Sequence, residues 1–200
     1  GRIRIDLPAA FGRLQALPVV LACVQQYPQL QPHLSFSDRF IDPVEEDVDV
    51  VVRVGGPDVW PAAWGHRYLG SELHVFCASP AYLKQHGEPV TERDLEHHVC
   101  VAYGRADGTV SPWRFVGKQG AAMERRVMSA QYIVGDGEAQ VITVMAGCGI
   151  AQLPTWLIKQ QLAEGSLVEV LPHLASEGLA IHLVWPKNRD ALPKVRVLLD

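Results

Sequence analysis

Hydrophobic and polar positions alternate at once from Arg2 to Leu7 (Arg-Ile-Arg-Ile-Asp-Leu), which predicts a strand with one face buried. From Pro8 the period changes. Phe11, Leu14, Leu17, Leu21 and Val24 recur every three or four residues, the stripe of an amphipathic helix, in which Pro18 is tolerable only at a first turn. Tyr27-Pro28 closes that helix, and Leu30 to Phe36 alternates again, as a half-buried edge strand does. Asp42-Pro43-Val44-Glu45-Glu46 has an N-cap aspartate, a proline at the first helical position and an acidic first turn, which predicts a short helix. The run Val48 to Val54, Val-Asp-Val-Val-Val-Arg-Val, is β-branched and apolar enough to predict a strand covered on both faces in a largely parallel sheet.

Further strands are predicted at Leu73 to Ala78, His98 to Tyr103, Val127 to Val134, Ile150 to Leu153, Leu167 to Leu171 and Leu179 to Trp185. Between them, Ser79-Pro80 caps a helix to about His86, Thr91 to Glu96 makes a helical turn, and a helix from about Glu138 to Ala146 ends at Gly147-Cys148-Gly149. Pro154 starts a helix through about Ala163, and Ala191 to Leu199 reads as the last one. Strands alternating with helices place the chain in the α/β class, and the last segment can rejoin the first lobe. No internal repeat is present.

With 200 residues, 48% hydrophobic and 20% charged, the chain can bury a sizeable core. Its formal net charge is −4, and no basic cluster exceeds Arg125-Arg126 or Lys187-Asn188-Arg189, so this segment is not expected to grip nucleic acid. The four cysteines are scattered without a C-x-x-C pair, which favours a reducing compartment. Neither a basic-then-apolar leader nor a membrane-length run is seen, so a cytoplasmic location without membrane attachment is expected. Because Gly1 lies immediately before a strand and Pro193 to Asp200 stops within an amphipathic stretch, the expectation is an excised fragment.

Catalytic chemistry finds little support. Gly147-Cys148-Gly149 follows a helix and lacks both a third glycine and a P-loop lysine, and no G-x-S-x-G elbow is present. Cys148 is the one candidate nucleophile or redox thiol, against the plainer reading of a small residue at a crowded helix end. His97 and His98 are adjacent, so on a strand they would face opposite ways, and they read as surface histidines rather than metal ligands. Arg39 reads as part of an interleaved surface ion-pair set. Arg53 differs, since it precedes Val54-Gly55-Gly56 near a strand's C-terminal end, where open α/β sheets bind ligands. The helix starts at Pro8-Ala9-Ala10, at Gly135-Asp136-Gly137-Glu138 and at Pro154 add amide donors suited to anions.

The string from Asp38 to Gly55, DRFIDPVEEDVDVVVRVG, resembles the regulatory half of LysR-type transcriptional regulators. So do Asp6-Leu7-Pro8 with Phe11-Gly12-Arg13, Cys77-Ala78-Ser79-Pro80 with Tyr82-Leu83, Trp113-Arg114-Phe115, Gly147 to Pro154, and Trp185-Pro186 with Pro193-Lys194-Val195-Arg196. The resemblance implies two Rossmann-like lobes joined by a two-strand hinge, like type 2 periplasmic binding proteins. Lobe I would take residues 1–73 and 176–200, and lobe II residues 74–175. It further implies a non-enzymatic sensor without a cofactor, which binds a small-molecule effector and pairs as a dimer or tetramer. DNA would be read only by a winged helix-turn-helix outside this segment.

Effector contacts carried over from the family pattern are Leu7, Pro8, Ala9, Ser37, Arg53, Val54 and Gly55 on lobe I, and Tyr103, Gly104, Gly135, Asp136, Gly137, Glu138, Leu153 and Pro154 on lobe II. Many family members offer a hydroxyl at the first helix start, where this chain has Pro8-Ala9-Ala10. Asp136 and Glu138 would repel an anion unless Arg53 or another donor offsets them, so an uncharged, amphipathic or aromatic effector is also open. The alternatives are a periplasmic solute-binding protein, a thiol redox sensor, and a small transferase or hydrolase using Cys148 or Asp136.

Overall fold

A computed structural model describes residues 1–200. The chain opens with β1 (Arg2–Leu7) and a helical run in three parts: α1 (Ala9–Phe11), a π-helical segment Gly12–Ala16, and α2 (Leu17–Gln25). β2 (Gln31–Phe36), β3 (Val50–Val54) and β4 (Trp64–Gly70) follow, then β5 (Leu73–Ala78), α3 (Pro80–His86), β6 (Val101–Tyr103), β7 (Trp113–Phe115), β8 (Glu124–Arg126) and β9 (Tyr132–Val134). After these come α4 (Gly137–Met145), β10 (Ala151–Pro154), α5 (Thr155–Glu164), β11 (Val168–Val170) and β12 (Ser176–Glu177). β13 (Ile181–Pro186) and α6 (Pro193–Leu199) complete the chain. Two compact units result: Gly1–Ser71 with Leu179–Asp200, and Glu72–Gly178.

The first unit is built on a five-stranded sheet of order β2-β1-β3-β13-β4. β1 pairs parallel with β2 and β3, whereas β13 is antiparallel to β3 and β4. β3 is buried on both faces, as its apolar run predicts, with Val52 packing beside Ile3, Ile5 and Leu7, and Val51 beside Ile41, Val48 and Val184. β2 is the edge strand expected from its alternation. At the opposite end of the strands from the helix starts, the buried carboxylate of Asp49 accepts the Arg4 amide at 2.9 Å, Arg189 Nη1 at 2.8 Å and Lys194 Nζ at 2.9 Å. One side chain thereby ties β1, the start of β3 and the α6 region together.

Three local expectations are corrected. Pro18 is the second residue of α2 and follows the π-helical segment, so the long helix is interrupted where proline removes a backbone donor. That wider turn shifts the phase of the stripe, leaving Leu14 at 44% and Leu21 at 43% exposure, while Ala10, Gly12 and Val20 face the sheet. Asp42 does cap, accepting the Val44 and Glu45 amides at 2.8 and 3.2 Å, but only one turn forms before Asp47 adopts φ 55°. The segment Val127 to Val134 is not one strand: Glu124–Arg126 pairs with β7 and Tyr132–Val134 with β6, and the residues between have no ladder.

The second unit has a sheet of order β10-β5-β11, with β12 also on β5, and two smaller pairs, β6-β9 and β7-β8. Its core gathers Phe76, Tyr82, Leu95, Trp113, Phe115 and Ile150. Phe76 meets Trp113 at 5.4 Å and Phe115 at 5.6 Å between ring centroids, which holds the β7-β8 hairpin on β5.

Candidate functional site

In the first unit, parallel pairing with Leu7 opposite Phe36 makes β1 and β2 end together, and β3 ends on the same edge. Leu7, Pro8, Ala9 and Ser37 are therefore neighbours, joined by a bond of 2.9 Å from the Ser37 amide to the Leu7 carbonyl. Pro8 caps α1 and its carbonyl accepts the Gly12 amide at 2.7 Å. Val54 and Gly55 close β3, where Gly55 takes φ 81° and donates its amide to Ala180 at 2.7 Å.

The chemistry of this rim differs from an open anion cradle. The Ala9 amide, the donor expected for a ligand, is already bound by Asp38 Oδ1 at 3.0 Å. Ser37 Oγ accepts the Arg39 amide at 3.0 Å, and Arg39 pairs with Glu46 at 2.8 Å, the structural role read for it. Arg53 is only 6% exposed, donates Nη2 to the Ile41 carbonyl at 2.7 Å, and lies 4.3 Å from the Phe40 ring centroid and 5.9 Å from that of Trp64. Burial lowers the Arg53 pKa, which the charges of Asp6 and Asp42 oppose. Asp6 is pushed up by burial although Ser35 Oγ donates to it at 2.6 Å.

In the second unit, parallel β6 and β9 bring Tyr103 and Gly104 beside Gly135 and Asp136, and the Gly104 amide donates to the Val134 carbonyl at 3.1 Å. The parallel bridge between Cys100 and Ile150 aligns β10 with β6, so Leu153 and Pro154 leave by the same edge. Asp136 is the N-cap of α4, accepting the Ala139 amide at 2.8 Å, with Gly137 and Glu138 in the first turn. Leu153 is buried against β5, and Pro154 caps α5 opposite His74. Each unit thus assembles its own set of candidate residues at one strand edge.

Other candidates have structural explanations. Cys148 is half-buried between Gly147, at φ 84°, and Gly149, where a Cβ would meet the Val99 carbonyl oxygen at 2.4 Å. Together with His86, Val99, Gln131, Tyr132 and Gly147 it lines a cavity of about 510 Å³. His98 Nδ1 lies 2.8 Å from the Tyr82 hydroxyl. No group of three metal-ligating side chains is assembled.

One residue absent from the expected set stands out. Arg114 on β7 is gripped by Gln152 of β10, whose Oε1 accepts its amide at 2.8 Å and whose Nε2 donates to its carbonyl at 2.7 Å. Its Nε and Nη1 are buried without a hydrogen-bond partner, as are His74 Nδ1 and Ser176 Oγ. The sequence signal was a charged residue between two aromatic ones that alternate into the core, Trp113-Arg114-Phe115.

Comparison with known proteins gives a consistent picture. The LysR substrate binding domain family model matches residues 1–200. An HTH-type transcriptional regulator of Haemophilus influenzae is 32% identical over 193 residues, covering 96% of this chain and 65% of the relative. The Escherichia coli regulator DmlR is 32% identical over 200 residues, covering 100% and 64%. This chain therefore spans a little under two thirds of the length of these relatives. Among solved structures, the regulatory domain of AphB from Vibrio vulnificus aligns with a TM-score of 0.82 at 26% identity, covering 100% of this chain and 97% of that one. The regulatory domain of CrgA from Neisseria meningitidis aligns with a TM-score of 0.85 at 25% identity, covering 100% and 96%. The two-lobed, periplasmic-binding-protein-like α/β fold is common to them. On the whole-length match and the shared fold, this chain belongs to the LysR substrate-binding domain family.

Proposed function

We propose that this domain binds a small-molecule effector and, through that binding, controls a DNA-binding domain of the same regulator, without catalysing a reaction. The observation that carries the reading is the family match over all 200 residues. Fold alone would not suffice, because one architecture hosts many activities. The relatives described above are regulators or regulatory domains of regulators.

The effector contacts are the two rim sets: Leu7, Pro8, Ala9, Ser37, Arg53, Val54 and Gly55, and Tyr103, Gly104, Gly135, Asp136, Gly137, Glu138, Leu153 and Pro154. Asp38 takes the Ala9 amide and Asp136 the Ala139 amide, so each of these helix starts already holds a carboxylate that an anionic group would have to face. Effector binding shifts the domain between conformations, a coupling of roughly 1–3 kcal/mol in typical cases. Copies of the chain pair through the β2 edge and the exposed helix face carrying Leu14 and Leu21.

The test is a thermal-shift screen with organic acids, amines, amino acids and sugars, followed by calorimetry of the hits. A ligand at a hundredfold over its Kd adds about 2.7 kcal/mol of stability. Ala9→Trp and Gly137→Trp, one in each rim set, are expected to weaken a hit at least tenfold. Undiminished affinity in both variants overturns the residue assignment, and the absence of any stabilising compound overturns the sensing reading.

A further inference from the structure

Buried polar side-chain atoms in folded proteins nearly always have a hydrogen-bond partner, and a buried donor on a charged group is the costliest to leave unmet. The second unit contains such atoms in one place. His74 on β5 stands directly opposite Ser176 of β12 on one side and Pro154 of β10 on the other, so the three side chains share a face of the sheet. Gln152, two residues before Pro154 and on the same face, fixes Arg114 through both its amide and its carbonyl. The positive charge of Arg114 is felt at His74. Arg114 Nε and Nη1, His74 Nδ1 and Ser176 Oγ are all buried without a hydrogen-bond partner.

We propose that Arg114, His74 and Ser176 form an oxyanion-binding subsite of the second unit, which takes the carboxylate or phosphate group of the effector. Arg114 supplies a permanent cation with two uncommitted donors, Ser176 a hydroxyl, and His74 a ring nitrogen that donates in the appropriate tautomer. Arg125, across the hairpin from Arg114, adds positive charge, while Glu177 is the acidic group acting on Arg114. The subsite adjoins Pro154 of the rim and contrasts with Arg53, whose guanidinium is committed to Ile41 and covered by Phe40. Calling the bound group part of the effector rests on the sensing reading, whereas the subsite itself does not.

The probes are sodium acetate and inorganic phosphate, each titrated into the chain at an ionic strength held constant with chloride. The readouts are the melting temperature and the imidazole nitrogen signals of His74, assigned with His74→Gln. Saturable stabilisation with movement of the His74 signals is expected for at least one anion: acetate alone marks a planar carboxylate site, phosphate alone a tetrahedral one. Arg114→Gln should weaken binding at least tenfold and Arg114→Lys severalfold, with Arg39→Gln as an exposed control that changes nothing. If Arg114→Gln fails to fold, Arg114→Lys, Ser176→Ala and the wild-type signals decide the matter. Unmoved His74 signals at tens of millimolar of both anions overturn the proposal. An effector found by screening that ignores Arg114→Lys and Ser176→Ala overturns the subsite's part in effector binding while leaving sensing intact. Anion binding here with no effector from the screen supports the subsite and removes its role in sensing.

Discussion

The carboxylate of Asp38 caps the helix that starts at Ala9, with Oδ1 3.0 Å from the Ala9 amide nitrogen. A side chain from the end of the β2 loop thus does locally what a ligand carboxylate would do. Asp38→Ala is expected to destabilise the chain by about 1 kcal/mol, the usual scale for a lost N-cap, and Asp38→Asn by less than half of that. Urea melts of the three proteins check the ranking, and equal losses for Ala and Asn would deny the capping role.

Asp49 carries more. Burial alone would raise its pKa, but the Arg4 amide, Lys194 and Arg189 together hold the carboxyl below its ordinary value. Removing one partner of a buried ion pair strands the others, so Asp49→Asn should cost about 3 kcal/mol in urea melts. Because the folded-state pKa is depressed, this contribution is complete above about pH 4 and is lost as pH falls through the lower folded value. The wild-type advantage over Asp49→Asn should therefore be flat from neutral pH to pH 5 and shrink only in stronger acid.

His74 acts in the same direction as Asp49, losing stability as pH falls, but for a different reason and in a higher pH window. Its pKa is pushed down to about 4, first by burial and then by Arg114. The unfolded chain therefore takes up a proton near pH 6.5 that the folded chain refuses until about pH 4. Stability is unaffected by this group above pH 7 and declines by about 3 kcal/mol between pH 6.5 and 4. Subtracting the pH dependence of His74→Gln isolates the effect, and parallel curves for the two proteins would contradict it.

Gly12 is required by close approach rather than by a special dihedral. A Cβ there would sit 2.6 Å from Leu7 Cβ and 3.1 Å from Phe36 Cδ1, where the helical run crosses the strands. Gly12→Ala is expected to destabilise by about 2 kcal/mol, within the range for overpacking a well-filled core. A melting temperature at or above wild type would mean that the helix can lift without penalty.

The exposed face with Leu14 at 44% and Leu21 at 43% exposure predicts self-association. Leu21→Glu, on a surface helix, should leave the fold intact and shift the sedimenting species toward monomer at a fixed concentration. An unaltered distribution would remove this face from the interface.

The sequence conveyed local rules well and tertiary partners poorly. β3 is legible because four valines around Arg53 have few alternatives to a doubly covered strand. β4 is not legible, because Trp-Gly-His-Arg-Tyr-Leu-Gly has neither clean alternation nor an apolar run, and only pairing with β13 makes it a strand. The helix starts at Ala9 and Gly137 were placed correctly, yet nothing near Ala9 announces that Asp38, 29 residues away, will take its amide. Arg53 was placed at a strand end, but Phe40 and Ile41, which cover and bind it, come from the preceding loop. Arg114 is distinguished by an unmet hydrogen-bonding capacity, which no spacing of residues reports.

The position of β13 also sets an order of assembly. It lies between β3 and β4, and β4 has no other strand neighbour, so the first unit's sheet stays incomplete until residues beyond Gly178 have joined it. The second unit is continuous from Glu72 to Gly178 and has all its own pairings in hand before that. Emerging from a ribosome, the chain would hold β1 to β3 as a partial sheet while the intervening unit closes. It would then finish through contacts as distant as Val51 with Val184, the kind of long-range pairing that slows folding.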